Sequence, residues 1–213
     1  MKKETILVLC AHNDDQVIGA GGTLAKYAKQ GCIVKSIIFS FGASSHPHLK
    51  SELIIKTRIK ESLQADRILK GSGVAYLGLK EGKFKEEIKK KKVKERLQLL
   101  IKKEKPSKIF THSINDPHGD HKAVFNLVME MLNVIDCEVY TFEIWTLFRL
   151  HNRYKPKLFE DISDTFDSKI KAFKSHKSQK ISIVNLILSV YFKAAFNGWK
   201  YNCKYGEVFN KLK

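Results

Sequence analysis

The chain has 213 residues, 43% of them hydrophobic and 10% aromatic, which excludes global disorder and points to one compact α/β domain over 1–213. Its 39 Lys and Arg against 22 Asp and Glu give a formal net charge of +17. That charge favours phosphate-rich partners such as nucleic acid, an anionic membrane face or a charged substrate, although lysine-rich solvated helix faces would look the same. The four cysteines, Cys10, Cys32, Cys137 and Cys203, lie far apart and form no C-x-x-C pair, so they indicate neither a cysteine zinc site nor a disulfide framework.

The opening "MKKETILVLCAHNDD" has a basic start, but its apolar run is strand-length and ends in charge. It therefore reads as a strand over Thr5–Cys10 rather than a signal peptide, and a cytoplasmic location is expected. "IGAGGTLAKYAKQG" reads as a helix closed by Gly31, and Ile33–Phe39 as a second strand, completing a β-α-β unit. A loop rich in Ser and His, "SFGASSHPH", precedes a helix from about Lys50 to Lys70, and "VAYLGL" is a third strand.

One charged helix is expected from about Lys85 to Glu104, stopped by Pro106. The strand "KIFTH" follows, then the loop "SINDPHGD", a helix from about Lys122 to Asn133, and a fifth strand in "CEVYTFEIW". The remainder reads as a loop and a helix in "LFEDISDTFDSKIKAFKSHKSQ", then a long apolar helix in "ISIVNLILSVYFKAAF". Asn185 and Lys193 interrupt that helix, and it is too short to span a bilayer, so a core or interfacial role is expected. Strands alternating with helices predict a Rossmann-like, doubly wound, mostly parallel sheet flanked by helices, which binds ligands at the carboxyl ends of its strands. "AHNDD" and "HSINDPHGDH" both follow strands directly, so they should converge on one sheet edge.

His12 and Asp15 stand three residues apart on a tight strand-to-helix turn, close enough to point at one ion, and His121 completes a His-Asp-His set. Three nitrogen and oxygen ligands with an open position form the catalytic rather than the structural zinc pattern, in which the pKa of a bound water falls to about 7. Asp14, beside Asp15 but free of the ion, is the candidate general base. His118 is placed to stabilise an oxyanion or donate a proton, with Asp120 holding its ring. Competing readings are helix capping by Asn13, Asp14 and Asp15, a surface accident for "HGDH", and a phosphate cradle for "GAGG". The cradle is weakened by a poor G-x-G-x-x-G match and by the lack of an acidic residue after the second strand. His176, in "KSHKSQ", reads as a satisfied structural or helix-end residue.

Together these residues resemble the PIG-L/LmbE-like family of zinc-dependent N-acetylglucosaminyl de-N-acetylases, whose A-H-P-D-D-E, G-G-T-L-A and H-P-D-H motifs correspond to "AHNDDQVIGAGGTLA" and "HGDHKAV". "RIKESLQADRIL" is similar to the family's Arg-x-x-Glu helix and "YLGLKEGKF" to its L-G-x-x-D-G turn; "FEDISDTFDSKIKAFKSHKSQ" and "YGEVF" also resemble family segments. The resemblance implies Zn2+ held by His12, Asp15 and His121, with Asp14 as base, His118 as oxyanion-stabilising acid, Asp120 as its partner and Arg58 as a substrate contact. Asn13, Gln16, Gly119 and Glu81 depart from the family's Pro, Glu, Pro and Asp.

The implied activity removes the acetyl group from an N-acetylglucosamine-containing small molecule or glycolipid, with an anionic or lipid aglycone suggested by the charge. Alternatives are a deacylase of another N-acyl substrate, in thiol-cofactor or antibiotic pathways, and a basic nucleic-acid-binding module, although no nucleic-acid partner is expected. Peripheral membrane contact and a homo-oligomer are compatible with the sequence.

Overall fold

Thr5–Cys10 (β1) is buried along its whole length. Its side chains alternate between two cores: Ile6, Val8 and Cys10 pack on one face of the sheet, Leu7 and Leu9 on the other. A strand covered by helices on both faces has no polar side to show, hence its unbroken apolar run. The computed structural model describes residues 3–43, 50–145 and 157–213, with residues 180–183 described by backbone alone. Most of the expected Ser- and His-rich loop, residues 44–48, lies outside the described residues.

After β1 come α1 (Asp15–Lys29), β2 (Ile33–Ser40), α2 (Ser51–Ile68) and β3 (Val74–Leu79). The middle of the chain forms α3 (Phe84–Lys90), α4 (Val93–Glu104), β4 (Lys108–His112), α5 (Gly119–Met131) and β5 (Glu138–Phe142). The last part forms β6 (Lys157–Asp161), α6 (Phe166–Lys174), α7 (Lys180–Lys200) and β7 (Gly206–Lys211). Among the described residues the strands make one seven-stranded sheet in the order β3-β2-β1-β4-β5-β7-β6. β3 through β5 pair in parallel, whereas β7 joins β5 and β6 antiparallel.

The parallel part has the doubly wound order. β1 and β4 are neighbours; α1 leaves β1 for one face and α5 leaves β4 for the other. Diverging helices open a crevice between these two strand ends, where such sheets bind ligands.

Two features correct the sequence-based expectation. The single charged helix is two, broken at Lys92, whose φ is 48°. The reason lies in the buried pattern: Phe84 and Ile88 form one row, Val93, Leu97 and Ile101 another, and the five-residue step from Ile88 to Val93 falls out of phase with a helical repeat. The segment read as a loop before α6 contains β6, a half-buried edge strand whose sequence, Lys-Leu-Phe-Glu-Asp, lacks clear alternation. Its partner β7 comes from the far end of the chain.

The "GAGG" glycines sit within α1 rather than cradling a ligand. A Cβ on Gly19 would lie 2.3 Å from the Phe142 ring, and one on Gly22 would lie 2.6 Å from Ile162 Cδ1. Glycine thus lets α1 approach β5 and the β6–α6 turn. Buried Lys169 and Glu207 then fasten α1 to its surroundings. Lys169 Nζ donates to the Ile18 carbonyl at 2.7 Å and to Glu207 at 2.6 Å, and Glu207 accepts from the Gly22 and Thr23 N–H groups at 3.2 and 2.8 Å. The result is a firmly held helix whose first residue is Asp15.

Candidate metal centre

The turn after β1 and the N-terminus of α5 meet at the β1/β4 crevice. His12 Nδ1 lies 3.2 Å from His121 Nε2. Asp15 offers a different oxygen to each ring, Oδ2 3.5 Å from His12 Nδ1 and Oδ1 3.4 Å from His121 Nε2. A tetrahedral ion with bonds of about 2.0–2.1 Å to nitrogen and oxygen needs ligand atoms about 3.3–3.4 Å apart, close to the spacing of the two ring nitrogens. Among the described residues, the sets that offer one ligand atom each within 4.8 Å of one another are His12, His118 and His121, and Asp15, His112 and His121.

The outer nitrogens of the two rings each face a carboxylate. His12 Nε2 is 3.3 Å from Asp120 Oδ2, and His121 Nδ1 is 2.9 Å from Asp116 Oδ1. A carboxylate only accepts, so His12 Nε2 donates to Asp120, whereas His121 Nδ1 and Asp116 make an ion-pair contact without hydrogen-bond geometry. The two inward nitrogens, 3.2 Å apart, are close enough to share one proton or one cation.

Both supporting carboxylates are braced. Asp120 accepts from the Gly82 N–H at 2.9 Å, and Asp116 accepts from the N–H groups of Ile144 at 3.0 Å and His118 at 3.2 Å. Burial would raise the pKa of Asp116, but His121 and these N–H groups hold it below the usual range. Asp120 is likewise held low, by His12 and the Gly82 N–H, against its burial.

The histidines respond in kind. Burial alone would lower His12, yet Asp15 and Asp120 raise its pKa to about 10. His121 rises to about 9, against burial, through Asp15 and Asp116. Asp15 lies well below the usual carboxylate range, because His121, His112 and His12 outweigh its burial. Such a pocket of acid carboxylates and high-pKa imidazoles is built to hold positive charge.

Asp14 occupies the N-cap position of α1 but makes no side-chain cap hydrogen bond, so capping does not account for it. Its Oδ1 lies 3.5 Å from Arg58 Nη2. Arg58, on a lysine-rich helix, is only 3% exposed. Gln16 stands where the family has Glu and braces the turn by donating to the Asn13 carbonyl at 3.0 Å.

His118 is the N-cap of α5, with its Nδ1 accepting from the Asp120 N–H at 3.2 Å. Its ring centroid lies 4.8 Å from that of His12 and 4.6 Å from that of His121. Burial and those two neighbours lower its pKa, so a neutral ring with Nδ1 accepting has Nε2–H to offer. The expected hold of Asp120 on the His118 ring takes a different form: backbone N–H joins the pair, while the carboxylate serves His12.

His112 and Asp116 were missed in the sequence. His112 ends β4, fully buried, and stacks on His121 with centroids 4.0 Å apart. Its Nε2 accepts the Ala11 N–H at 3.0 Å and lies 3.1 Å from Asp15 Oδ2. Burial and then His121 lower its pKa to about 4, so it stays neutral. The available signal was its position at the end of the strand beside β1. His176 is the expected helix-end residue, its N–H donating to the Phe173 carbonyl at 3.2 Å just past α6; it is fully buried, but neither ring nitrogen has a hydrogen-bond partner among the described residues.

A cavity of about 430 Å³ opens over the cluster, lined by His12, Asp14, Asp15, Arg58, His118 and His121, with Trp145 and Leu186 among its other walls. A larger groove, about 670 Å³, lies elsewhere, between α4 and the end of α5, and none of these residues lines it.

Residues 7–132 match the family model PIG-L, described as GlcNAc-PI de-N-acetylase. The chain belongs to the PIG-L family. Among PIG-L relatives it is 27% identical over 186 residues to the uncharacterized deacetylase YaiS of Escherichia coli, covering 83% of this chain and 92% of that protein. It is 25% identical over 196 residues to diacetylchitobiose deacetylase of Thermococcus kodakarensis, covering 81% and 69% respectively. The fold also matches GalB, the 4-carboxy-2-hydroxymuconate hydratase of Pseudomonas putida, with a TM-score of 0.83 at 22% identity, covering 99% of this chain and 96% of that one. The PIG-L fold thus also occurs in a protein named for adding water rather than for removing an acetyl group.

Proposed function

We propose that the chain acts as one domain over 1–213, a zinc-dependent N-deacetylase that removes acetate from an N-acetylglucosamine unit carrying an anionic aglycone. The observation that carries this reading is the inward pair His12 Nδ1 and His121 Nε2, 3.2 Å apart, with Asp15 between them and Asp14 and His118 on the same cavity wall. The relative named diacetylchitobiose deacetylase supports a sugar acetamide as substrate, and the net charge of +17 supports an anionic aglycone.

His12, Asp15 and His121 would hold the zinc, oriented by Asp120 and Asp116. When bound there, zinc supplies Lewis acidity and brings the pKa of a water to about 7. Asp14, which Arg58 orients, accepts a proton from the attacking water and passes it to the amine nitrogen as the amide C–N bond breaks. The new C–O bond leaves the acetyl group as acetate. His118 donates Nε2–H to the oxygen that becomes negative as the carbonyl carbon turns tetrahedral. Arg58 in the cavity wall contacts the sugar or its anionic substituent.

Likeness to a hydratase favours a second reading, the addition of water to a carbon–carbon double bond. An acetate-release screen of zinc-loaded protein over N-acetylglucosaminides with neutral and anionic aglycones separates the two. Acetate is expected, with efficiency on anionic substrates falling as salt rises, because exposed charges are screened beyond about 8 Å at physiological ionic strength. Absence of acetate from every substrate, together with hydration of an unsaturated acid, would replace this reading with the second.

A further inference from the structure

The helix α7 has two faces with different fates. Leu186, Val190 and Ala194 are buried in the core. The opposite side carries Val184, Leu188, Tyr191, Phe192, Phe196 and Trp199, all exposed, with Leu188 at 76% and Trp199 at 75%. Their spacing repeats every three or four residues, so they form one stripe along the helix. The fifteen steps from Val184 to Trp199, at about 1.5 Å each, give that stripe a length of about 22 Å. Phe192 stacks on Phe196, with centroids 6.1 Å apart, and Phe196 packs on Trp199 at 6.0 Å. Soluble surfaces rarely leave such a contiguous apolar patch to water.

Charge indicates what covers it. Residues 168–206 contain eight lysines and no Asp or Glu. Lys174 and Lys177 are exposed just before α7, and Lys200 and Lys204 are exposed at its far end. An apolar, aromatic stripe with cations at both ends matches the acyl boundary and anionic headgroups of a bilayer. No described helix is long and apolar enough to cross a membrane, so α7 would lie in the interface. A second copy is a poorer fit. It would bring together two cationic stretches, which repel one another.

We propose that the outer face of α7 seats the protein on an anionic membrane surface. Leu186, on the inner face of α7, Gln179 just before it and Trp145 line the candidate active-site cavity, so the helix that seats the protein is also a wall of that cavity. This inference is independent of the deacetylase reading, since vesicle binding can fail while acetate release stands.

The test is co-sedimentation of the full chain with phosphatidylcholine vesicles, with and without phosphatidylglycerol. Binding is expected only when the anionic lipid is present, and it should weaken as salt rises. The double variant Val184→Glu with Leu188→Glu alters two strongly exposed positions and should bind at least about tenfold more weakly. In the Trp145→Phe variant, which leaves Trp199 as the single tryptophan, brominated lipid should quench the remaining fluorescence. Vesicle binding unchanged in the double variant, no quenching of Trp199, or no association with anionic vesicles would each overturn the proposal. So would a stable oligomer, seen by light scattering, that the double variant dissociates.

Discussion

His12 Nδ1 and His121 Nε2 face each other across 3.2 Å, although 109 residues separate them in the chain. The sheet order brings them together, because β1 and β4 are neighbours and each histidine follows its strand into a turn or helix. Each ring is backed on its outer side by a carboxylate, Asp120 for His12 and Asp116 for His121. Several consequences can be measured.

Asp116→Ala and Asp120→Ala should each weaken zinc affinity about tenfold to a hundredfold, because the ligand ring loses the carboxylate that holds its direction. Competition with a chromophoric chelator reads this directly. Affinity equal to that of the unaltered protein in both variants would mean that packing, not the carboxylates, orients the rings.

Asp14→Asn should keep its zinc and lose turnover by about a hundredfold to ten-thousandfold, since the amide fills the same volume but cannot accept a proton. Acetate release and metal content, measured on one preparation, check both halves. Near-normal turnover would assign the base elsewhere, and lost metal would make Asp14 a ligand.

Asp66, remote from the cavity, gives a prediction about stability. Burial raises its pKa to about 6, with the Gly73 N–H pulling the other way. The unfolded chain titrates this group near 3.9, so between about pH 4 and 6 the folded state binds more protons than the unfolded one. Stability therefore falls as pH rises through that window and stays lower above it. Asp66→Asn removes the penalty. The variant should be more stable at pH 7.5 by about 1 kcal/mol, a figure discounted for the group's partial exposure, and equal at pH 4. Urea unfolding at the two pH values measures the gap; a gap that widens toward acid would have the wrong sign.

Much of this was legible in the sequence because the relevant signals are local. Strand β1 is one unbroken apolar run, and His12, Asp14, Asp15, His118, Asp120 and His121 all lie just beyond strands. What escaped depends on contacts distant in the chain. His112 looks like the polar end of an ordinary strand until β1 is placed beside it, and Asp116 looks like a loop residue until His121 folds back onto it. The helix α1 is legible, but the reason for its glycines is not until Phe142 and Ile162 are seen against them. The edge strand β6 has no alternation to read, and its partner lies more than forty residues further along the chain.

Bound metal per chain, determined by elemental mass spectrometry on the unaltered protein and on His12→Ala, Asp15→Ala and His121→Ala, tests the metal centre most directly. About one zinc per chain is expected in the unaltered protein, with a sharp fall in every variant, because each substitution removes one of three ligands and part of the site's geometry. Full zinc occupancy in all three variants, or none in the unaltered protein after loading, would contradict it.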